Sequence, residues 1–207
     1  MKILSINTAF SKSYVAVENE GIVVSSHMDS QLKQSENILG LIHKTLLEAG
    51  VKINDLDAIA VVIGPGSFTG IRIGASLAKG FCSAFSRIKR ICISSLDLVA
   101  YSYVKKNMDN DFWVVLNALS GNLFSCKYNK QGEKLIDPCL ISETQQDQII
   151  GDVVGIEEEN ITLCNKHISF NCEFLLEYSK ELFKNGCFSN DFTPLYMRKS
   201  QAEENMS

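Results

Sequence analysis

Residues 64–74 have the sequence GPGSFTGIRIG, a glycine-rich turn between an apolar run at 56–63 and a helical pattern at 69–85. Glycines permit a sharp turn, a proline stiffens it, and Ser67 or Thr69 is expected to cap the helix. The turn lacks the Lys-Ser or Lys-Thr pair of a phosphate-binding P-loop and the GxGxxG spacing of a dinucleotide site. A structural turn and an anion site both remain open. The motif-loop residues are Gly64, Pro65, Gly66, Ser67, Phe68 and Thr69.

The residues around this turn alternate between strand and helix patterns. Alternating or β-branched runs predict strands, and apolar residues at helical spacing predict helices, the first of which ends before Gly50. The predicted order is βββαβαβα. The segments are strands at 2–7, 14–17 and 22–24, a helix at 32–49, a strand at 56–63, a helix at 69–85, a strand at 90–93 and a helix from 94 or 95 to 104.

The second half of the chain repeats this order in shortened form. Its predicted segments are strands at 113–116 and 123–128 and a third after Gly132, a helix at 143–150, a strand at 161–164 and a helix at 173–183. Such a repeat predicts an α/β protein of two similar lobes. We expect the first lobe to span residues 1–104 and the second, smaller lobe to span 105–207.

Composition excludes several classes of function. The formal charge of −4 and the pI near 5.4 argue against a protein that binds nucleic acid by itself. The one basic cluster, Arg87, Lys89 and Arg90, is interpreted as cations near a helix C-terminus rather than as an RNA-binding patch. No apolar run approaches the roughly 18 residues of a membrane span, and the start has no signal-peptide pattern. Seven scattered cysteines without a CxxC pair indicate reduced thiols, so a cytoplasmic protein is expected.

Two helices carry a pattern that predicts a partner surface. The second presents small residues at four-residue spacing, and the first has an apolar arc wider than one core face requires. We therefore expect another protein to dock there. The predicted interface residues are Ile38, Leu39, Ile42, Leu46, Gly70, Ile71, Gly74, Ala75 and Ala78.

The segment GPGSFTGIRIG is similar to the signature of the TsaB (YeaZ) family. The first strand resembles the family's ILAIDTA opening, and the end of the chain resembles its closing PxYxR and Ala-Glu. The resemblance is strong over residues 1–100 and thin between 101 and 190. Further matching segments are Gln34-Ser35-Glu36, Leu56-Asp57-Ala58-Ile59, Ser94-Ser95-Leu96, Pro194-Leu195-Tyr196-Met197-Arg198 and Ala202-Glu203.

This resemblance implies a two-lobed actin-like (ASKHA, RNase H-like) fold with a reduced second lobe. It also implies a non-catalytic scaffold and activator that pairs with the catalytic paralogue TsaD and the ATPase TsaE. That complex forms threonylcarbamoyladenosine in ANN-decoding tRNAs, and the chain would meet tRNA only indirectly. ATP and metal are expected in the partner subunits and no cofactor in this chain, which is expected to be a homodimer when alone.

The sequence departs from the family at two turns. Asn7 follows the first strand where the family often has Asp, and Asn117 begins a segment where the family usually has DARRGE or similar. Actin-like ATPases need carboxylates at these positions because Mg²⁺ prefers hard oxygen ligands. Nucleotide turnover in this chain is therefore not expected, and docking of TsaE by the second lobe is put in question.

Three other functions compete with the scaffold hypothesis. An actin-like sugar or acetate kinase would need acidic residues at both turns. A zinc protease or glycopeptidase would need a histidine pair and a general base, whereas His27, His43 and His167 stand alone. A protein-interaction module with another partner differs from the scaffold hypothesis only in the identity of that partner.

Overall fold

The computed structural model describes residues 1–29, 34–106, 109–119 and 121–198. The predicted start of the first helix at residue 32 and the Ala202-Glu203 pair lie outside these ranges. The strands are β1 (Lys2–Asn7), β2 (Lys12–Asn19), β3 (Ile22–Asp29), β4 (Ala58–Gly64), β5 (Lys89–Ser94), β6 (Phe112–Asn117), β7 (Leu123–Tyr128), β8 (Lys134–Ile141), β9 (Asp152–Ile156) and β10 (Lys166–Ile168). The α-helices are α1 (Gln34–Glu48), α2 (Phe68–Ala84), α3 (Ser95–Val104) and α4 (Cys172–Lys184).

The chain forms two compact units. The first contains Met1–Ser94 and Asn171–Pro194, and the second contains Ser95–Phe170 and the described residues from Leu195 onward. These units differ from the predicted lobes 1–104 and 105–207. Helix α3 lies in the predicted first lobe but packs on the second sheet. Helix α4 lies in the predicted second lobe but packs on the first sheet.

Two five-stranded sheets share one strand order. The first sheet has the order β3-β2-β1-β4-β5, and the second, counted from its other edge, has the order β8-β7-β6-β9-β10. In each, the first three strands are antiparallel and the last two run parallel to the central strand. This repetition is the two-lobed α/β arrangement of an actin-like fold, as predicted.

The first sheet is covered on both faces. Leu4 and Ile6 pack into the core beneath α1 and α2, while Ser5, on the opposite face, donates a hydrogen bond to Ser179 of α4 (2.8 Å). Lys180 of α4 pairs with the buried Glu18 of β2 at 2.9 Å. Coverage on both faces explains why β4 is a continuous apolar strand, as its composition predicts.

Among the described residues, an α-helix covers one face of the second sheet, and that helix is α3. On that face Tyr103 of α3 packs edge-on against Phe112 (ring centroids 4.7 Å apart), and Phe112 stacks on Tyr128 (5.8 Å). The opposite face carries a small cluster of Val115, Leu123, Ile149 and Val153, against which apolar side chains from loops pack. On this face, loops take the place of the helices of the first unit. The second unit is reduced in this sense.

In the second half, one prediction is confirmed in part and one is wrong. The helix predicted at 143–150 is present as a shorter 3₁₀ helix, Glu143–Gln148. Residues 161–164 form a turn rather than a strand, because Ile161 and Leu163 are apolar for packing on the cluster and not for pairing. The strands on either side of this turn are β9 and β10, and Gly155 of β9 leaves room for the sulfur of Cys164.

Candidate partner-binding site

The signature loop is tied to the turn that follows β1. The Ser67 side chain caps α2 by accepting a hydrogen bond from the Gly70 amide (3.2 Å), as predicted. The Ser67 amide donates to the Ala9 carbonyl (2.9 Å), and the Thr8 hydroxyl donates to the Gly70 carbonyl (2.6 Å). Since two amides at this helix N-terminus already have protein acceptors, the contacts support a structural turn over an anion site.

The glycines of the signature make room for that same turn. A Cβ at Gly66 would lie 2.5 Å from the Ala9 carbonyl oxygen, and one at Gly70 would overlap the Thr8 carbonyl oxygen. At Gly74 a Cβ would lie 2.5 Å from the Thr8 hydroxyl oxygen. The small-residue strip of α2 therefore allows the helix to sit close to β1, inside the first unit.

This placement corrects the predicted interface. Most of the predicted residues are buried and so are not available to a partner; only Leu39, at 51% exposure, lies on the surface. The strip faces the sheet, and Thr8 and Val61 occupy the space that a side chain at Gly74 would need. The buried residues are Ile38, Ile42, Leu46, Gly70, Ile71, Gly74, Ala75 and Ala78.

A different surface of the same two helices is open. Leu39, His43 and Leu47 recur at four-residue spacing on the outer face of α1, and Leu47 is 72% exposed. A Cβ at Gly40 of α1 or at Gly80 of α2 would meet no atom of the described residues within 4 Å. We use the name outer face for the exposed residues Leu39, Gly40, His43 and Leu47 of α1 and the exposed Gly80 of α2.

The last residue of β1 and the last residue of β6, Asn7 and Asn117, form the same local turn. The Asn7 side-chain oxygen accepts a hydrogen bond from the Ala9 amide (2.9 Å), and that of Asn117 accepts from the Leu119 amide (2.7 Å). Such turns tighten the backbone through a side-chain oxygen. Each asparagine is thus occupied in shaping its own turn, and neither supplies the carboxylate of an actin-like ATPase.

Two residues that were not predicted as site residues, Glu159 and Arg198, fix the second turn. Glu159 accepts a hydrogen bond from the Asn117 amide (2.7 Å), and burial, with a smaller contribution from Glu158, raises the pKa of Glu159 to about 7. Arg198 donates to the carbonyl oxygens of Ala118 and Leu119. The closing motif pointed to Arg198, but its hydrogen-bond acceptor, Ala118, lies 80 positions earlier in the chain.

The described ranges hold no group of three or more His, Cys, Asp or Glu side chains arranged to bind a metal ion. Burial raises the pKa of the Cys82 and Cys92 thiols, and the thiol of Cys82 also lies beside Arg90. Every cysteine is free, and Cys187 is exposed. Among the described helices, none has the length and apolar character needed to cross a membrane.

Comparison with known proteins identifies the family. The family model for TsaD, tRNA N6-adenosine threonylcarbamoyltransferase, matches residues 18–174. The tRNA threonylcarbamoyladenosine biosynthesis protein TsaB of Escherichia coli K12 is 28% identical over 165 residues, covering 75% of this chain and 71% of the relative. The chain belongs to the TsaD family, as a TsaB (YeaZ) relative. TsaB of Buchnera aphidicola subsp. Schizaphis graminum is 31% identical over 126 residues, covering 61% of this chain and 60% of that protein.

Solved TsaB (YeaZ) structures agree on the fold. YeaZ from Pseudomonas aeruginosa superposes with a TM-score of 0.76 at 21% identity, covering 94% of this chain and 99% of that chain. A TsaD-type protein, the tRNA N6-adenosine threonylcarbamoyltransferase of Kosmotoga olearia, is 31% identical over 103 residues, which is 42% of this chain and 31% of that enzyme. The likeness to TsaB of Escherichia coli thus extends over 75% of the chain, and that to the transferase of Kosmotoga olearia over 42% of it.

Proposed function

We propose that this chain is a non-catalytic scaffold and activator subunit in the formation of threonylcarbamoyladenosine in ANN-decoding tRNAs. It pairs with a TsaD-type catalytic protein and a TsaE-type ATPase, and it reaches tRNA through that complex. The observation that carries the proposal is the outer face, where apolar side chains and bare helix backbone are exposed together on a chain of the TsaD family.

The outer face suits a helix of another subunit. A glycine inside a helix costs about 0.5 to 1 kcal/mol relative to alanine. Contacts within the first unit account for Gly70 and Gly74, but none of the described residues fills the space beside Gly40 and Gly80. Bare backbone permits close approach of a second helix, and Leu39 and Leu47 would become buried in that contact. We propose a TsaD-type protein as the occupant, and a second copy of this chain when TsaD is absent.

The two asparagine turns support a role without catalysis. A neutral carboxamide is a weaker ligand for Mg²⁺ than a carboxylate, and both asparagine oxygens already accept backbone hydrogen bonds. ATP and metal would accordingly bind to the partner subunits. A scaffold without an acid, base or metal acts by binding one state of its partner more tightly than another.

Reconstitution tests this function directly. The chain is mixed with its cognate TsaD and TsaE, ATP, a source of threonylcarbamoyl adenylate and an ANN-decoding tRNA, and digested nucleosides are analysed by mass spectrometry. We expect modification only when the chain is present, rising with its concentration until the subunits are stoichiometric. Full modification without the chain would contradict the proposal.

A variant on the outer face tests the docking site. Leu47→Arg places a charge on the outer face, and we expect binding to TsaD to weaken at least tenfold, because a desolvated charge without a partner is costly. Leu135→Arg, at a 49% exposed leucine of β8, is the matched control and should bind normally. Undiminished binding and modification with Leu47→Arg, in a chain that is folded by circular dichroism, would rule out this surface.

A further inference from the structure

The basic cluster near β5 does not have the role that its sequence position suggests. Helix α2 ends at Ala84, and the Arg87 guanidinium donates instead to the Asn54 carbonyl of another segment. The carbonyls of Phe81 and Phe85 accept backbone amides of the chain itself. Arg87 and Lys89 are exposed, whereas Arg90 is half-buried beside Cys82. Capping of the α2 C-terminus therefore does not explain the positions of Arg87 and Lys89.

An aromatic ring is held beside Lys89. Phe188 is 43% exposed, and the Lys89 ammonium lies 5.7 Å from the centroid of its ring. The ring of Phe183 packs against it edge-on at 5.5 Å. The amide of Ser189 donates to the Arg90 carbonyl (2.8 Å), which holds the segment along the edge of β5. An exposed phenylalanine is thus kept in place next to a lysine.

The nearby carboxylates leave the positive charge in place. Asp57, whose carbonyl accepts the Lys89 amide, binds the backbone amide of Lys2 (2.7 Å) and lies 3.9 Å from the N-terminal ammonium. Asp191 pairs with Lys79 at 2.9 Å. Within the part of the chain that the structure describes, no carboxylate pairs with Arg87 or Lys89, so both charges are available at the surface.

We infer that Arg87, Lys89 and Phe188, here called the Lys89–Phe188 patch, contact an unpaired stretch of RNA. Proteins hold single-stranded RNA by stacking bases on aromatic side chains while Lys and Arg neutralise the phosphates. The patch supplies one ring and two cations, enough for a few nucleotides. A chain with a net charge of −4 would therefore bind RNA weakly alone and usefully only within a larger complex. The identification of this RNA as tRNA rests on the proposed function; the presence of an RNA contact does not.

Binding measurements on the reconstituted complex test this inference. Fluorescence anisotropy gives the dissociation constant for an ANN-decoding tRNA, and for single-stranded oligouridylate, over a series of salt concentrations. We expect Phe188→Ala to weaken binding of both RNAs about tenfold through lost stacking. Lys89→Gln should weaken binding about threefold and lower the salt slope by about 1. Lys130→Gln, at an exposed lysine in the second unit, is the matched control and should change neither quantity.

Each outcome decides between the RNA contact and its alternatives. Unchanged affinities with both patch variants would overturn it. A loss with Lys89→Gln but not with Phe188→Ala would indicate general electrostatics and also overturn it. Preferential binding of phosphatidylserine vesicles, dependent on Phe188, would assign the patch to a membrane surface instead. Modification of tRNA is read separately, so a complex that modifies tRNA with both variants at wild-type affinity would refute the patch and leave the proposed function intact.

Discussion

The turn after β1 and the turn after β6 have equivalent places in two sheets of the same strand order, yet different groups hold them. Both begin with an asparagine whose side-chain oxygen accepts the amide two residues later. In the first unit the turn is buried, and the signature loop with the start of α2 packs against the backbone of the turn. In the second unit it is held from the side by Glu159 and Arg198.

The comparison shows that one local turn can be stabilised by backbone contact or by side chains. Backbone contact requires glycines, because a Cβ at Gly66 would collide with Ala9 and a Cβ at Gly70 or Gly74 would collide with Thr8. Side-chain contact requires charged groups brought from far along the chain, and it leaves Leu119 61% exposed with a left-handed backbone (φ 66°). The first turn should therefore be sensitive to added volume and the second to charge and pH.

The largest expected effect comes from adding volume at the first turn. Gly74→Leu would drive a side chain into the Thr8 hydroxyl and Val61, and we expect a loss of about 3 kcal/mol or more in the free energy of unfolding. Urea unfolding followed by circular dichroism measures it. A folded chain of normal stability that had lost only its partner would show instead that the strip faces outward.

The second turn should respond to pH through Glu159. The pKa of Glu159 is about 7 when folded, against 4.5 as its ordinary value, so the folded state binds the proton more tightly. Its stabilising contribution is fully present below about 4.5 and is lost as the pH rises through 7. Since one pKa unit corresponds to about 1.4 kcal/mol, and Glu159 remains partly exposed, we expect a loss of about 1 to 2 kcal/mol.

Urea titrations at several pH values measure this loss. The control is Glu159→Gln, which keeps an acceptor for the Asn117 amide and removes the titrating group, so its stability should vary less between pH 4.5 and 7. An identical pH profile for wild type and Glu159→Gln would show that another group is responsible.

Removing Arg198 should loosen the second turn by about 1 kcal/mol. Arg198→Ala deletes the donors to the Ala118 and Leu119 carbonyls, and a typical hydrogen bond contributes about 0.5 to 1.5 kcal/mol net. Hydrogen exchange of the amides of 117–119 should accelerate, while that of the turn after β1 stays unchanged. Equal exchange rates at the second turn in both proteins would show that Glu159 suffices.

The sequence predicted the first unit well because its signals are local. The Ser67 cap, the apolar β4 and the glycine after α1 each follow from a few neighbouring residues. The direction of the small-residue strip could not be predicted, because four-residue spacing suits a sheet and a partner helix equally. The residue that decides it, Thr8, lies 62 positions before Gly70.

The second unit was predicted less well for the same reason. Its apolar loop segment at 161–164 has the composition of a strand, but it packs on a cluster that includes Val115, which is far away in sequence. Arg198 was visible as part of a closing motif, yet its contact with the Asn117 turn depends on the fold. Where loops take the place of helices, periodicity carries little information about packing.

The smallest expected effect separates the two kinds of glycine within α2. Gly80→Ala adds a Cβ that meets nothing within 4 Å, so we expect the isolated chain to gain about 0.5 to 1 kcal/mol, in contrast to the loss at Gly74. The same methyl group would keep a partner helix at a distance, so binding to TsaD should weaken although the chain is more stable. Urea unfolding and a binding titration on one preparation measure both quantities. A gain in stability without weaker binding would show that the partner does not contact α2 at Gly80. A loss of stability would show that Gly80, like Gly74, packs against the rest of its own unit.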